Sequence, residues 1–148
     1  MKVIAVTGTP GTGKTAVAKR LAKKNRFLYL DGKKLIENFR LRERYDRKRK
    51  TFVVDEKKFV KLLINVINAA KQHNVKGLVI DSHLGHYLPR KYADLVVVTK
   101  TDLKKLQQRL KKRRYPALKI RENLEAEIFD TCYEEAKELK HRIKVVWT

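Results

Sequence analysis

The most constraining feature of the sequence is the octapeptide Gly8–Thr15, GTPGTGKT, which matches the phosphate-binding pattern G-x-x-x-x-G-K-[ST]. It follows the apolar run Val3–Val6, which is typical of a strand buried on both faces. It precedes residues 16–22, which combine helix-forming residues with helical apolar spacing. In this context the glycines let successive backbone N–H groups point at one phosphate, and the helix start adds its positive dipole end. The motif therefore predicts an anion site.

Individual side chains near this loop have predicted roles. Lys14 can reach the β- and γ-phosphates of a nucleotide, and the Thr15 hydroxyl can ligate Mg²⁺. Asp81 ends an apolar stretch in the manner of a Walker B strand, which predicts a second oxygen near the metal. His83 follows at the carboxyl edge of the predicted sheet, where it could contact a phosphate, position a water or brace the loop. We interpret His86 as a structural residue rather than a functional one.

The rest of the chain alternates predicted strands and helices, which favours one α/β domain over residues 1–148. Strands are predicted at residues 3–6, 27–30, 77–81, 94–98 and 143–147, with a short extended piece at 51–54. Helices are predicted at residues 16–22, 33–44, 55–73, 103–112 and 118–139.

Two arginine-rich segments allow more than one interpretation. Residues 40–50 lack a core pattern, so they are either a solvated loop or helix end, or a positive rim that grips a second phosphate or an RNA backbone. Arg109, Arg113 and Arg114 flank a helix break at Tyr115-Pro116. They form either a solvated face or a lid that brings guanidinium groups over the transferring phosphate.

The net charge is unusually positive. Lys and Arg total 37 against 16 Asp and Glu, which gives +21. Such a charge attracts polyanions, so RNA or a ribosomal site would explain it, although a lysine-rich source organism would too. No stretch of 18 apolar residues predicts a membrane span, and no signal peptide is expected. Cys132 is the single cysteine, which favours a reducing cytoplasmic location.

Four segments of the chain form a recognisable set: GTPGTGKT, YDRKRKTFVVDE, DSHLGHYLP and RLKKRRYPALKIRENLEAEIFDTCYEEA. Together they resemble the adenylate kinase isoenzyme 6 family of small P-loop NMP kinases and ATPases. The resemblance covers nearly the whole chain, and its most specific parts are Asp81-x-His83, with Pro89 downstream, and the run from Lys119 to Phe129.

The resemblance implies a P-loop NTPase fold with three α/β/α layers, a five-strand parallel sheet, an NMP-binding region at about 31–54 and a lid at about 109–119. It implies Mg²⁺-dependent phosphoryl transfer from ATP to AMP or a related monophosphate, together with ATPase activity. Lys14, Asp81, His83, Arg109 and Arg113 are the implied catalytic residues, and Thr15 and Asp81 the implied metal ligands. The implied ATP-binding residues are Gly8, Pro10, Gly11, Thr12, Gly13, Lys14, Thr15 and Ala16.

The resemblance also implies a role in small ribosomal subunit maturation, with rRNA or a platform ribosomal protein as partner. The location would be cytoplasmic, or nuclear in a eukaryote.

The sequence departs from the family pattern in three places. Glu37 stands where an arginine for the AMP phosphate is expected, so Arg40 or Arg42, with Asp31, is the predicted NMP-binding set. Residues 47–50 are basic where the family is acidic, and the sequence stops at Thr148, before a loop expected to pack on adenine and a closing helix. These departures leave open an ATP-gated ribosome-assembly factor with little kinase activity. A minor alternative is a GTPase, because residues 99–102 read T-K-T-D.

Overall fold

The computed structural model describes all residues from Met1 to Thr148. The strands are β1 (Lys2–Gly8), β2 (Leu28–Asp31), β3 (Arg42–Asp46), β4 (Thr51–Val54), β5 (Gly77–Asp81), β6 (Leu95–Lys100) and β7 (Ile143–Trp147). The helices are α1 (Lys14–Asn25), α2 (Gly32–Asn38), α3 (Glu56–Gln72), α4 (Leu103–Lys112), α5 (Ala117–Ile128) and α6 (Thr131–Glu138). Two single turns of 3₁₀ helix lie between β5 and β6.

Five strands form one parallel sheet in the order β2-β5-β1-β6-β7. The predicted five-strand α/β fold is therefore confirmed. The apolar strand β1 lies at the centre, where both of its edges are paired. Its register sets Val6 beside Asp81 of β5 and Gly8 beside Thr99 of β6. The carboxyl ends of three strands therefore meet at the start of the glycine loop.

Helices cover both faces of this sheet, so the central strands β1, β5 and β6 are buried on both sides. Helix α1 packs on one face through Val17, Ala18 and Ala22, against strand residues such as Ile4 and Val6. The other face carries α3 and α6, and their buried side chains are Phe59, Leu63, Ile67 and Ala136. The result is the three-layer arrangement that a parallel sheet requires to bury its apolar strands.

The helix predicted at residues 33–44 is too long. Helix α2 ends at Asn38, and Arg40 adopts a left-handed backbone conformation with φ of 53°. The following charged segment forms an antiparallel hairpin of β3 and β4. Tyr45 and Phe52 face each other across it, with ring centroids 5.0 Å apart, and such a cross-strand aromatic pair stabilises a hairpin. The sequence concealed the hairpin because β3 carries charged residues and no apolar alternation.

The single helix predicted at residues 118–139 is also wrong, because the chain breaks between α5 and α6. Asp130 takes the left-handed conformation there, with φ of 51°, which Asp tolerates better than most residues. Its carboxylate contacts the ammonium group of Lys100. The helix is therefore interrupted at the position where Asp130 forms an ion pair with the end of β6. None of the six helices is both long and apolar enough to cross a membrane.

Truncation of one buried leucine side chain tests the packing of α3 on the sheet. Leu63 is fully buried, so Leu63→Ala is expected to lower the free energy of unfolding by about 2–5 kcal/mol. Leu103→Ala makes the same change at a helical leucine that is 41% exposed, and should cost less than about 1 kcal/mol. Denaturant unfolding measures both values, and equal losses would contradict the described core.

Candidate functional site

The glycine loop leaves the backbone N–H groups at the start of α1 without partners in the protein. Gly11 and Gly13 have φ values of 91° and 81°, in the region that favours glycine. Gly13 caps α1 without any side-chain hydrogen bond to the first helical N–H groups. Unpaired N–H groups at a helix N-terminus bind anions, so this end of α1 suits a phosphate.

Two predicted loop residues hold the loop in shape. A Cβ on Gly8 would lie 2.3 Å from the Thr99 hydroxyl oxygen, so only glycine fits there. The Thr12 hydroxyl lies 2.6 Å from the Thr9 carbonyl oxygen and 2.7 Å from the Thr99 hydroxyl. Gly8 and Thr12 therefore act on the backbone of the loop.

Lys14 folds back over the loop. Its Nζ donates to the carbonyl oxygens of Gly8, at 3.0 Å, and Thr9, at 3.3 Å. Burial lowers the pKa of Lys14 to about 8, and Arg113 acts in the same direction, while nearby Cys132, Asp81 and Glu127 oppose the shift. The hydrogen-bond partners of the ammonium group are neutral carbonyls and it forms no salt bridge with a carboxylate, so it remains available to a phosphate.

The predicted metal pair lies together across the sheet edge. Asp81 Oδ2 accepts a hydrogen bond from the Thr15 hydroxyl at 2.7 Å. A hydroxyl and a carboxylate are hard oxygen donors of the kind that Mg²⁺ prefers. The structure has no cluster of three or more His, Cys, Asp or Glu side chains able to hold a metal. The Thr15–Asp81 pair fits a Mg²⁺ ion as two of its oxygen ligands.

Tyr29 is a site residue that the sequence analysis missed. Its hydroxyl donates to the same Asp81 oxygen at 2.6 Å. Burial and the Asp81 carboxylate raise the pKa of Tyr29, so the phenol keeps its proton. The two residues lie together only because β2 pairs with β5, and the sequence does not show which strand lies beside β5.

The two histidines after β5 have different surroundings. His83 is exposed on the cleft wall, with protein around the rest of the ring. Partial desolvation, and then the charges of Lys14, His86 and Lys119, lower its pKa, so the ring is neutral at pH 7. His86 is buried, with Nδ1 2.8 Å from the Thr7 hydroxyl and Nε2 3.5 Å from Glu135.

A cleft of about 760 Å³ connects the glycine loop with the hairpin. This volume suits a small-molecule site. Most of the residues predicted for the site line it: Pro10, Gly11, Gly13, Lys14, Thr15, Ala16, Asp31, Arg42, Asp81, His83 and Arg113. The predicted residues outside the lining are Gly8, Thr12, Arg40 and Arg109.

The two predicted lid arginines lie in different places. Arg113 is exposed and lines the cleft, with one guanidinium nitrogen 3.3 Å from the Tyr115 hydroxyl. Arg109 instead donates to the Gly11 carbonyl at 3.1 Å and to the Thr148 hydroxyl at 3.0 Å. Arg109 therefore supports the loop from outside the cleft, and its guanidinium does not face the cleft where a phosphate could bind.

The far side of the cleft is lined by the hairpin. The guanidinium of Arg42 lies 4.3 Å from the Phe52 ring and bonds to Glu37 at 2.7 Å. Asp31 caps α2 by accepting from the backbone N–H groups of residues 33 and 34. Ten further lining residues were not predicted individually, and nine of them fall within the predicted NMP-binding region or lid. Those that carry aromatic rings or positive charge include Tyr45, Lys50, Phe52, Tyr115 and Lys119.

One ion pair ties the hairpin to α5. Arg49 donates twice to the Glu122 carboxylate, at 2.6 and 2.8 Å, and once to Asp46 at 3.0 Å. Two parallel bonds of this kind fix orientation as well as distance. The basic segment at residues 47–50 therefore contributes a structural contact as well as positive charge.

The T-K-T-D segment makes contacts unrelated to a base. Lys100 bonds to Glu127 at 3.1 Å and contacts Asp130. Asp102 caps α4 by accepting from the Lys104 N–H at 3.0 Å. Both side chains that would mark a guanine site are thus engaged within the protein.

Comparisons with known proteins agree with this geometry. Residues 4–130 match the family described as AAA domain. The adenylate kinase isoenzyme 6 homologue of Caenorhabditis elegans is 36% identical over 135 residues, 91% of this chain and 72% of that protein. The homologue of Schizosaccharomyces pombe is 38% identical over 136 residues, 91% of this chain and 74% of that protein.

Solved structures share the fold at low identity. A sugar kinase from Janibacter sp. superposes with a TM-score of 0.65 at 17% identity, covering 99% of this chain and 85% of that chain. Shikimate kinase from Acinetobacter baumannii gives 0.61 at 16% identity, covering 100% and 84%. The solved structures show the fold alone. The isoenzyme 6 homologues at 36–38% identity show that the chain belongs to the adenylate kinase isoenzyme 6 family of P-loop kinases, and the glycine loop, the Walker B carboxylate and the hairpin-lined cleft agree with this.

Proposed function

We propose that this protein transfers the γ-phosphoryl group of ATP to AMP or a related nucleoside monophosphate. The observation that carries the proposal is the single cleft that joins two binding surfaces. The glycine loop, Lys14 and Asp81 suit the triphosphate at one end, and Arg42 and the hairpin offer positive and aromatic groups at the other. Relatives named adenylate kinase isoenzyme 6 homologues support the assignment.

The residues act by positioning and charge compensation. The loop amides and Lys14 hold the triphosphate while a monophosphate oxygen attacks the γ-phosphorus and the bond to the β-phosphate oxygen breaks. Thr15 and Asp81 would hold Mg²⁺, which when bound neutralises phosphate charge. Tyr29 keeps the Asp81 carboxylate oriented through its hydrogen bond. Arg113 is placed to approach the transferring group if the α4–α5 turn moves over the cleft.

On the acceptor side, the proposed residues are Asp31, Arg40 and Arg42. Arg42 already lines the cleft, and Arg40 would reach it only through movement of the α2–β3 connection. We propose that the chain is one kinase domain over residues 1–148, with an NMP-binding region at about 31–54 and a lid at about 109–119. The hairpin falls within the first region and the α4–α5 turn within the second.

Slow ATP hydrolysis is the proposed second activity. His83 is neutral and lines the cleft two residues beyond Asp81, so it is placed to orient a water molecule near the γ-phosphate. Arg109 would support both activities by donating to the Gly11 carbonyl of the loop rather than by contacting the nucleotide.

A role in small ribosomal subunit maturation is the proposed cellular setting, in the cytoplasm or nucleus. The net charge of +21 and the exposed basic residues of the hairpin favour an rRNA or ribosomal-protein partner. If this binding role dominates, the chain works as an ATP-gated assembly factor with little kinase activity.

Product analysis tests the proposed kinase activity. ATP and Mg²⁺ are incubated with AMP, CMP, UMP, GMP or no acceptor, and the nucleoside diphosphates are separated and quantified. We expect the AMP reaction to form two ADP per ATP consumed, faster than the reaction without acceptor. Equal ATP consumption in all five reactions would leave only an ATPase.

Two variants test the site, and a third is their control. Lys14→Ala and Asp81→Ala remove a phosphate contact and the proposed metal ligand, so turnover should fall by about 100-fold or more. Both should keep the thermal unfolding transition of the parent. Lys24→Ala, which removes an exposed lysine from the last turn of the same helix as Lys14, should keep full activity.

The pH dependence should reveal Lys14. Because its pKa is about 8 in the free enzyme, the charged form that binds phosphate is lost as pH rises through that value. We expect kcat/KM for ATP to fall about tenfold per pH unit above this limb. Bound phosphate favours the ammonium form, so the limb in kcat should lie at higher pH. Lys14→Arg should remove the limb from kcat/KM, and an unchanged limb would assign it to another group.

RNA titration separates the two proposed roles. An assembly factor predicts that ATP hydrolysis rises several-fold when small-subunit rRNA is added at low salt, and that the rise disappears at high salt. Arg44→Glu and Arg47→Glu together reverse charge on exposed hairpin positions outside the cleft lining, so they should reduce this stimulation. A flat hydrolysis rate across the titration would contradict the RNA-linked role.

A further inference from the structure

Glu127 is a buried carboxylate that the proposed reaction does not use. It lies on α5, is only 6% exposed, and does not line the cleft. Ionised side chains are rarely buried unless they are paired and hydrogen-bonded, because desolvation is costly. The contacts of this carboxylate therefore indicate what it does.

Its partners come from two separate segments beside the glycine loop. Oε1 accepts from Lys100 Nζ at 3.1 Å and from the Thr9 hydroxyl at 3.3 Å. Oε2 accepts from the Thr101 backbone N–H at 2.9 Å. One side chain thus joins α5 both to the end of β6 and to the loop that follows β1.

Thr9 is the point at which the loop is held internally. Its carbonyl oxygen accepts from the Thr12 N–H at 3.2 Å, the Thr12 hydroxyl at 2.6 Å and Lys14 Nζ at 3.3 Å. Its side chain is 3% exposed and donates only to Glu127. Thr9 therefore bonds to Glu127 through its side chain and to the rest of the loop through its carbonyl oxygen.

We propose that Glu127 is a positioning residue that, through Thr9, holds the glycine loop in the conformation that accepts the nucleotide phosphates. The proposal rests on the proposed function, since it assumes that ATP binds at this loop. Helix α5 also carries Lys119 on the cleft wall and Glu122 in the ion pair with Arg49. The same helix therefore links both walls of the cleft to the loop, and Glu127 is its contact with the loop.

Thr9→Val tests this without removing the carboxylate. Valine has the shape of threonine but no hydroxyl, so the loop loses its bond to Glu127. Calorimetry with an ATP analogue that has an imido group between the β- and γ-phosphates, well below the unfolding temperature, should show about five- to tenfold weaker binding. KM for ATP should rise by a similar factor, and kcat should change by less than about twofold. Thr9→Ser restores the hydroxyl and should restore the affinity.

A double-variant cycle shows whether Glu127 acts through Thr9. Glu127→Gln should raise the Kd of the analogue to a similar extent. The double variant Thr9→Val with Glu127→Gln should have a Kd within about twofold of that of the weaker-binding single variant. Glu125→Gln makes the same change on the exposed face of α5 and should bind like the parent. If Glu127→Gln does not fold, the two Thr9 variants still decide the question.

The outcomes that overturn the proposal are distinct from failure of the proposed function. Parental affinity in Thr9→Val, or equally weak binding in Thr9→Val and Thr9→Ser, would overturn the positioning role. Fully multiplicative losses in the double variant would do so too. If the parent protein bound no analogue, the proposed function and this inference would fail together.

Discussion

The parallel pairing of β1 between β5 and β6 is the constraint on which the rest of the molecule depends. The register places Val6 of β1 beside Asp81 of β5, and Gly8 of β1 beside Thr99 of β6. The carboxyl ends of all three strands therefore lie together at the glycine loop. The hydrogen bond from Thr15 to Asp81 is a direct consequence of this register. Slippage of one residue would turn Asp81 to the opposite face of the sheet and separate the pair.

The same pairing explains why several polar groups are buried around the loop. Thr7, Thr9, Thr12 and Thr99 are each 3% exposed or less. Their hydroxyl groups bond to backbone carbonyls, to one another, to His86 or to Glu127, which satisfies them in a water-poor setting. These bonds fix the backbone of the loop before any anion arrives. A loop that is already in shape loses less conformational entropy on binding than a flexible one.

Features that depend on local sequence could be predicted, and features that depend on distant contacts could not. The glycine loop, β5 ending at Asp81 and the α3 stripe of Phe59 and Leu63 follow from short-range pattern, and the structure contains all three. The β3–β4 hairpin and the α5–α6 break were missed. Tyr45 pairs with Phe52, and Asp130 with Lys100, and neither contact has a local signature.

The site residues divide along the same line. Lys14, Thr15 and Asp81 occupy motif positions, whereas Tyr29 reaches Asp81 only because β2 pairs with β5. Arg109 shows the reverse case, since its sequence position beside a helix break suggests a lid. One of its guanidinium nitrogens, Nη1, lies instead within hydrogen-bond distance of the Gly11 carbonyl oxygen and of the Thr101 and Thr148 hydroxyl oxygens. Nη1 would have to give up this set of acceptors to move into the cleft, whereas exposed Arg113 has one hydrogen bond, to Tyr115. Of the two arginines, Arg113 is therefore the one with fewer contacts to exchange on any movement into the cleft, and its charge adds to the effect of burial, which is the main cause of the lowered pKa of Lys14.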